Sequence, residues 1–281
     1  MLPFKCLWAC DLTNGSGVES PLLSCLIFPW AEKRPGATVV NAAHLDEKWL
    51  YRVGGISALT LGIAYIIIIP LFAHVGAPPT GGEVWLKYLQ GKTTVWWTIL
   101  WLCVFTDFLY IPVALALYFA LEGLNRSAMF LASVFVGLFV ALDLVVTWAN
   151  YAALLTLSGL YAAVPNEVQR AGYVAAANYA SAVLASPTEV FYAIVDLSIG
   201  IFIISLVMLE DRGIFTRTMA YLGLAAGVFG FVSVGRFFIA VMLHTVLITI
   251  WFLFVGYGLC SLGWAHFDLS LPLRGPSQAV D

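Results

Sequence analysis

The chain has 281 residues, 62% of them hydrophobic and only 10% charged, and its mean hydropathy of +0.94 excludes a soluble globular protein. A net charge of −3 offers no basic surface, so nucleic acid is not an expected partner. Apolar runs of about twenty residues recur, enough to cross a roughly 30 Å hydrocarbon core, without the ~10-residue alternating segments of a transmembrane barrel. The pattern predicts an all-α, polytopic transmembrane helical bundle of about six spans, with the lipid bilayer as its first partner.

Residues 1–48 differ from the rest. Their apolar bits are broken by Asp11, Asn14, Glu19 and the run Glu32-Lys33-Arg34-Pro35, and neither bit makes a secretory signal segment. This stretch reads as a poorly ordered cytoplasmic tail. Of the five cysteines, Cys6 and Cys10 form a C-x3-C pair with no second pair or histidine beside it, which does not make a zinc site.

Residues 49–263 form the membrane domain, and 264–281 a polar C-terminal tail. The first span runs from Gly54 to His74. A loop with Pro78-Pro79-Thr80-Gly81-Gly82 follows, and Glu83 to Leu89 reads as a short interfacial helix carrying Trp85 and Tyr88 at headgroup level. Val95 to Leu121 is the second span, opened by Trp96, Trp97 and Trp101, with an expected kink at Pro112. After the turn Glu122–Arg126, the third span starts near Ser127 and passes Asp143 to about Tyr151, with apolar character continuing to Val164. Asn166-x-x-Gln169 resembles a capping box opening an outer amphipathic helix near 167–184. Ser186-Pro187-Thr188-Glu189 gives the N-cap, first-turn proline and third-position glutamate that open a fourth span, Val190 to Leu209. Met219 to Val234 is a Gly-rich fifth span suited to close packing. Gly235-Arg236 then turns into the sixth, Phe237 to Leu262.

Six spans put both termini on one side. That side carries Lys33, Arg34, Lys48, Arg52, Arg126, Arg212, Arg217 and Arg274, against Lys87, Lys92, Arg170 and Arg236 opposite. The excess places both termini in the cytoplasm, in the cell membrane.

The chemistry is concentrated in a few residues. Asp107, Asp143 and Asp196 each interrupt a long apolar run. A charged side chain at mid-bilayer costs at least about 2.5–3.5 kcal/mol, so each needs a partner, a proton or a hydrated cavity. At about 1.5 Å per residue, Asp143, Asp196 and His244 lie roughly 12 Å from the outer ends of their helices, and Asp107 about 18–20 Å. Asp143, Thr147 and Asn150 follow α-helical spacing on one face, Tyr192 precedes Asp196 by one turn, and Arg236 lies two turns outward of His244. These residues are expected to form one polar seam. Each alone has an ordinary structural account: an interhelical hydrogen bond, a core histidine, a snorkelling arginine. The set suits proton or cation binding in a transporter of an unknown small solute. A lipid-modifying enzyme with Asp and His as acid–base groups, or a non-catalytic membrane subunit, are the alternatives. One deep histidine is few for zinc, His74 and His244 are offset for haem, and no nucleotide or hydrolase motif appears, so no cofactor is expected.

Ala114-Leu115-Ala116-Leu117-Tyr118 followed by Leu124-Asn125-Arg126-Ser127-Ala128, and the stretch Gly200 to Gly230, resemble motifs of a prokaryotic family of multi-pass membrane proteins known only as a domain of unknown function. The likeness covers about residues 50–262 and departs from the family at Thr218, where a proline is expected, and in lacking an early arginine in the third span. It implies a six-helix bundle and no activity.

Overall fold

The computed structural model describes residues 39–211, 213, 215–235 and 238–265. The expectations for residues 1–38 and 266–281, and for Arg236, lie outside them. The described residues are all-α: α1 (Val39–Val75), α2 (Gly82–Tyr88), α3 (Thr93–Leu142), α4 (Ala149–Ala163), α5 (Glu167–Leu184), α6 (Pro187–Val190), α7 (Asp196–Glu210), α8 (Arg217–Val232) and α9 (Phe238–Ala265). A π-helical turn, Asp143–Trp148, joins α3 to α4, and a second, Phe191–Val195, joins α6 to α7.

Among these residues five stretches are long and apolar enough to cross a membrane: Lys48–Val75, Thr93–Ala163, Pro187–Glu210, Arg217–Gly235 and Ile239–Trp264. The second has 71 residues. At about 1.5 Å per residue that is over three bilayer cores, so it cannot be one straight crossing. It folds back at Asn125, the one residue of α3 with non-helical backbone angles (φ −152°, ψ 86°). Ring contacts trace the reversal: Tyr110 meets Phe139 at 5.1 Å, and Trp96 stacks on Tyr151 at 5.4 Å. The two arms of this hairpin bring the crossings to six. Pro112 sits inside a continuous helix, so the break falls at Asn125 and not at the proline.

Close packing comes from small residues. α1 runs antiparallel to α9, with Arg52 beside Gly263, Gly55 beside Cys260, Leu59 beside Gly256 and Gly62 beside Leu253. A Cβ on Gly256 would sit 2.8 Å from the Leu59 backbone nitrogen, and one on Gly55 2.8 Å from that of Cys260. Backbones this near need glycine, and packing of this kind drives helix association where lipid removes the hydrophobic difference. Along α8, Gly223, Gly227 and Gly230 lie against Ser205, Phe202 and Ser198 of α7, so the Gly-rich fifth span packs as its composition predicts.

The outside of the bundle is apolar. Ile56, Ile63, Phe108, Phe130, Val145 and Ile239 are all more than half exposed. Water would not tolerate a surface so continuously apolar, and acyl chains do. On one end, α2 and α5 form a cap. Asn178 Oδ1 and Ser181 Oγ of α5 accept from the backbone N–H groups of Gly82 and Gly81 at 2.7 and 2.9 Å, satisfying donors that open α2. Ser158 of α4 donates to the Leu86 carbonyl at 2.9 Å. Asn166 caps α5 through the Val168 N–H (2.9 Å), and Ser186 caps α6 through that of Glu189 (3.2 Å) with Pro187 in the first turn.

Candidate functional site

The hairpin positions the polar centre. Asp107 on its first arm and Asp143 midway along its second are each eighteen residues from Asn125, so the fold-back sets them level. Their carboxyl groups are close neighbours, and both residues are buried, at 2% and 5% exposure. Around them stand Tyr65 of α1, Cys103 and Tyr110 of α3, and Thr147 and Trp148 of the π turn. The Tyr65 and Tyr110 hydroxyls share a hydrogen bond of 2.9 Å.

The π turn decides what Asp143 touches. With i→i+5 hydrogen bonding, residues five apart stack along the helix. Trp148 Nε1 therefore donates to Asp143 Oδ2 at 2.9 Å from five positions on. The Thr147 hydroxyl lies beside the same carboxyl without meeting hydrogen-bond geometry, and Asp143 Oδ1, Asp107 Oδ2 and Thr147 Oγ1 are buried with no hydrogen-bond partner. Among the described residues no basic side chain pairs with either carboxyl group. Two carboxylates in contact inside a low-dielectric bundle repel strongly, so the two are not both ionised without a compensating charge.

An aromatic wall closes this centre toward the α2–α5 cap. Trp148 packs on Tyr151 (5.6 Å), Tyr151 contacts Trp85 (5.9 Å), and Trp85 meets Trp96 edge-on (5.7 Å). Outside the spans, burial pushes the Tyr88 phenol up from its ordinary value. Tyr88 donates to the Val75 carbonyl at 2.7 Å, tying α2 to the end of α1.

The expected seam does not form as one hydrogen-bonded group. Asp196 is wholly buried, and neither of its carboxyl oxygens has a hydrogen-bond partner. Tyr192 does not reach it: Tyr192 sits inside the second π turn, where four residues no longer make one turn. His244 Nδ1 bonds the Ala226 carbonyl at 2.8 Å, across to α8. Asn150 donates to the Val146 carbonyl of its own helix at 2.6 Å and not to Asp143. Of the sequence-derived set, Asp107 and Asp143 come together. Trp148 and Tyr65 join them unforeseen. A hydroxyl among the isoleucines of the first span was a signal for Tyr65; nothing in α-helical spacing marks Trp148. No three His, Cys, Asp or Glu side chains among the described residues gather to hold a metal ion.

Fold and surface define a multi-pass, all-α integral membrane protein. Compared with known proteins, the chain matches no family model, no curated protein and no solved structure.

Proposed function

We propose that the protein is a small membrane transporter whose coupling cation, a proton or a small monovalent ion, resides on the Asp107–Asp143 pair. One observation carries this reading: two buried carboxyl groups, on the two arms of one hairpin, lie side by side with unsatisfied oxygens and no basic partner among the described residues. Structural carboxyl groups in a bilayer are paired or fully hydrogen-bonded, whereas those left with open valence at membrane depth mark ion pathways. The π turn that starts at Asp143 adds support, since such turns recur at functional sites. The alternatives have less behind them: His244, its Nδ1 bonded to the Ala226 carbonyl, is not among the groups that surround the carboxyl pair.

The test is infrared difference spectroscopy of the protein in lipid. Replacing protons or salt cations should change a protonated-carboxyl band that both Asp107→Asn and Asp143→Asn remove. A spectrum that responds to neither change, or that survives both substitutions, ends this reading and leaves the aspartates as structural groups.

A further inference from the structure

Far from the carboxyl pair, we infer that Arg52 and Lys48, where α1 meets the end of α9, bind the phosphate of an acidic phospholipid. The two cations lie four residues apart and so share one face of α1. That face is seated on Gly263 of α9: a Cβ there would meet Arg52 Cγ at 2.7 Å and the Lys48 carbonyl oxygen at 3.5 Å. Glycine thus lets the arginine stem lie flat against the helix end. Arg52 Nε donates to the Gly263 carbonyl at 3.1 Å, one of the last four carbonyls of α9. The guanidinium carbon stands 5.2 Å from the Trp264 ring centre. One nitrogen and the stem are therefore fixed, while the two terminal nitrogens of the fork have no acceptor among the described residues.

Charge and depth select the ligand. Lys87 is spent on Glu83 at 2.7 Å and Arg126 lies 3.9 Å from Glu122, but among the described residues no carboxylate pairs with Lys48 or Arg52. A guanidinium fork with an ammonium one turn away suits an anion that carries several oxygens on one centre, and phosphate is met by such a fork through two parallel bonds. The depth points to a lipid as its source. The apolar stretches Lys48–Val75 and Ile239–Trp264 begin and end at this place. Trp49 and Trp264 flank it, 66% and 65% exposed, and indoles at the ends of spans sit among headgroups. A headgroup without an ammonium of its own, such as phosphatidylglycerol, leaves its full charge to the two cations, whereas the choline of phosphatidylcholine cancels it. Bound there, the lipid ties the first span to the last.

The full-length protein would be melted in nanodiscs of phosphatidylcholine alone and with rising fractions of phosphatidylglycerol, at fixed ionic strength. A ligand that binds only the folded state raises the melting temperature with saturation, by about 3–5 °C at ten times the level that half-fills its site. The expected result is such a saturable rise with phosphatidylglycerol. Arg52→Gln and Lys48→Gln should each lose most of it, every variant being compared with itself in the two lipids so that the lost carbonyl bond cancels. Arg217→Gln, which removes a positive charge at the same end of the bundle, should keep the rise, and inorganic phosphate added to the phosphatidylcholine discs should give none. No rise in the unaltered protein, or a rise that survives both Arg52→Gln and Lys48→Gln, overturns the inference. An equal loss in Arg217→Gln reduces the effect to general surface charge, and a rise with inorganic phosphate makes the ligand a free anion; either also overturns it.

Discussion

Trp148 hydrogen-bonds Asp143 across five residues of its own helix, at 2.9 Å, a pairing that regular α-helical geometry would not make. The indole thereby fixes one oxygen of a carboxyl group whose other oxygen is left open. Trp148→Phe keeps a ring against Tyr151 and removes the donor. It should lower stability by about 1–2 kcal/mol, since a buried acceptor loses its partner. Chemical unfolding in detergent reads this, and a loss below about 0.3 kcal/mol would mean the bond is not formed in solution.

Asp107→Asn and Asp143→Asn test role against architecture. Each relieves a like-charge contact, and the amide introduced by Asp143→Asn would still accept from the Trp148 indole through its carbonyl oxygen. Folding stability should hold or rise by about 1 kcal/mol, while cation-dependent effects disappear. Aspartates that serve only as interhelical glue would give the reverse pattern, lower stability with binding signals unchanged.

The α1–α9 seam predicts the cost of added methyl groups. Gly55→Ala and Gly256→Ala each push a Cβ to within 2.8 Å of a facing backbone nitrogen, and each should destabilise by about 1–3 kcal/mol. Gly137→Ala, where an added Cβ meets nothing within 4 Å, should be neutral or stabilising by up to about 1 kcal/mol. Thermal melts of the three variants decide it, and similar melts for all three would contradict the packing.

How much of this was legible beforehand differs by scale. Hydropathy alone marks six crossings, and the polar turn Glu122–Arg126 marks the fold-back that the structure centres on Asn125. The caps at Asn166 and Ser186 are local chemistry and were readable as such. The polar centre was readable only as an inventory of residues. The expected grouping with Asn150 and Tyr192 assumes a constant α-helical period, and two π turns shift the phase at Asp143 and ahead of Asp196. Which aspartate meets which depends on the hairpin register, a long-range property that spacing along one helix does not contain.

Tyr88 gives a pH dependence with a definite sign. Its phenol is pushed up by burial, so the folded protein holds that proton more tightly than the unfolded chain. The stabilisation is fully present below the unfolded value near 10 and is lost as pH rises through the folded value. Protection of the α2 amides, taken relative to their intrinsic base-catalysed exchange rate, should therefore fall above about pH 10. Tyr88→Phe, which deletes the bond to the Val75 carbonyl, should flatten that response.

The antiparallel register of α1 with α9 has a consequence for biogenesis. Gly55 and Gly62, on the first of these helices to leave the ribosome, seat Cys260 and Leu253 of the last. Until α9 is inserted, the α1 face that carries Gly55 and Gly62 must sit against lipid or a chaperone. Chains stalled before α9 would therefore expose a defined small-residue groove, and a membrane quality-control protease could tell them from finished protein by that groove.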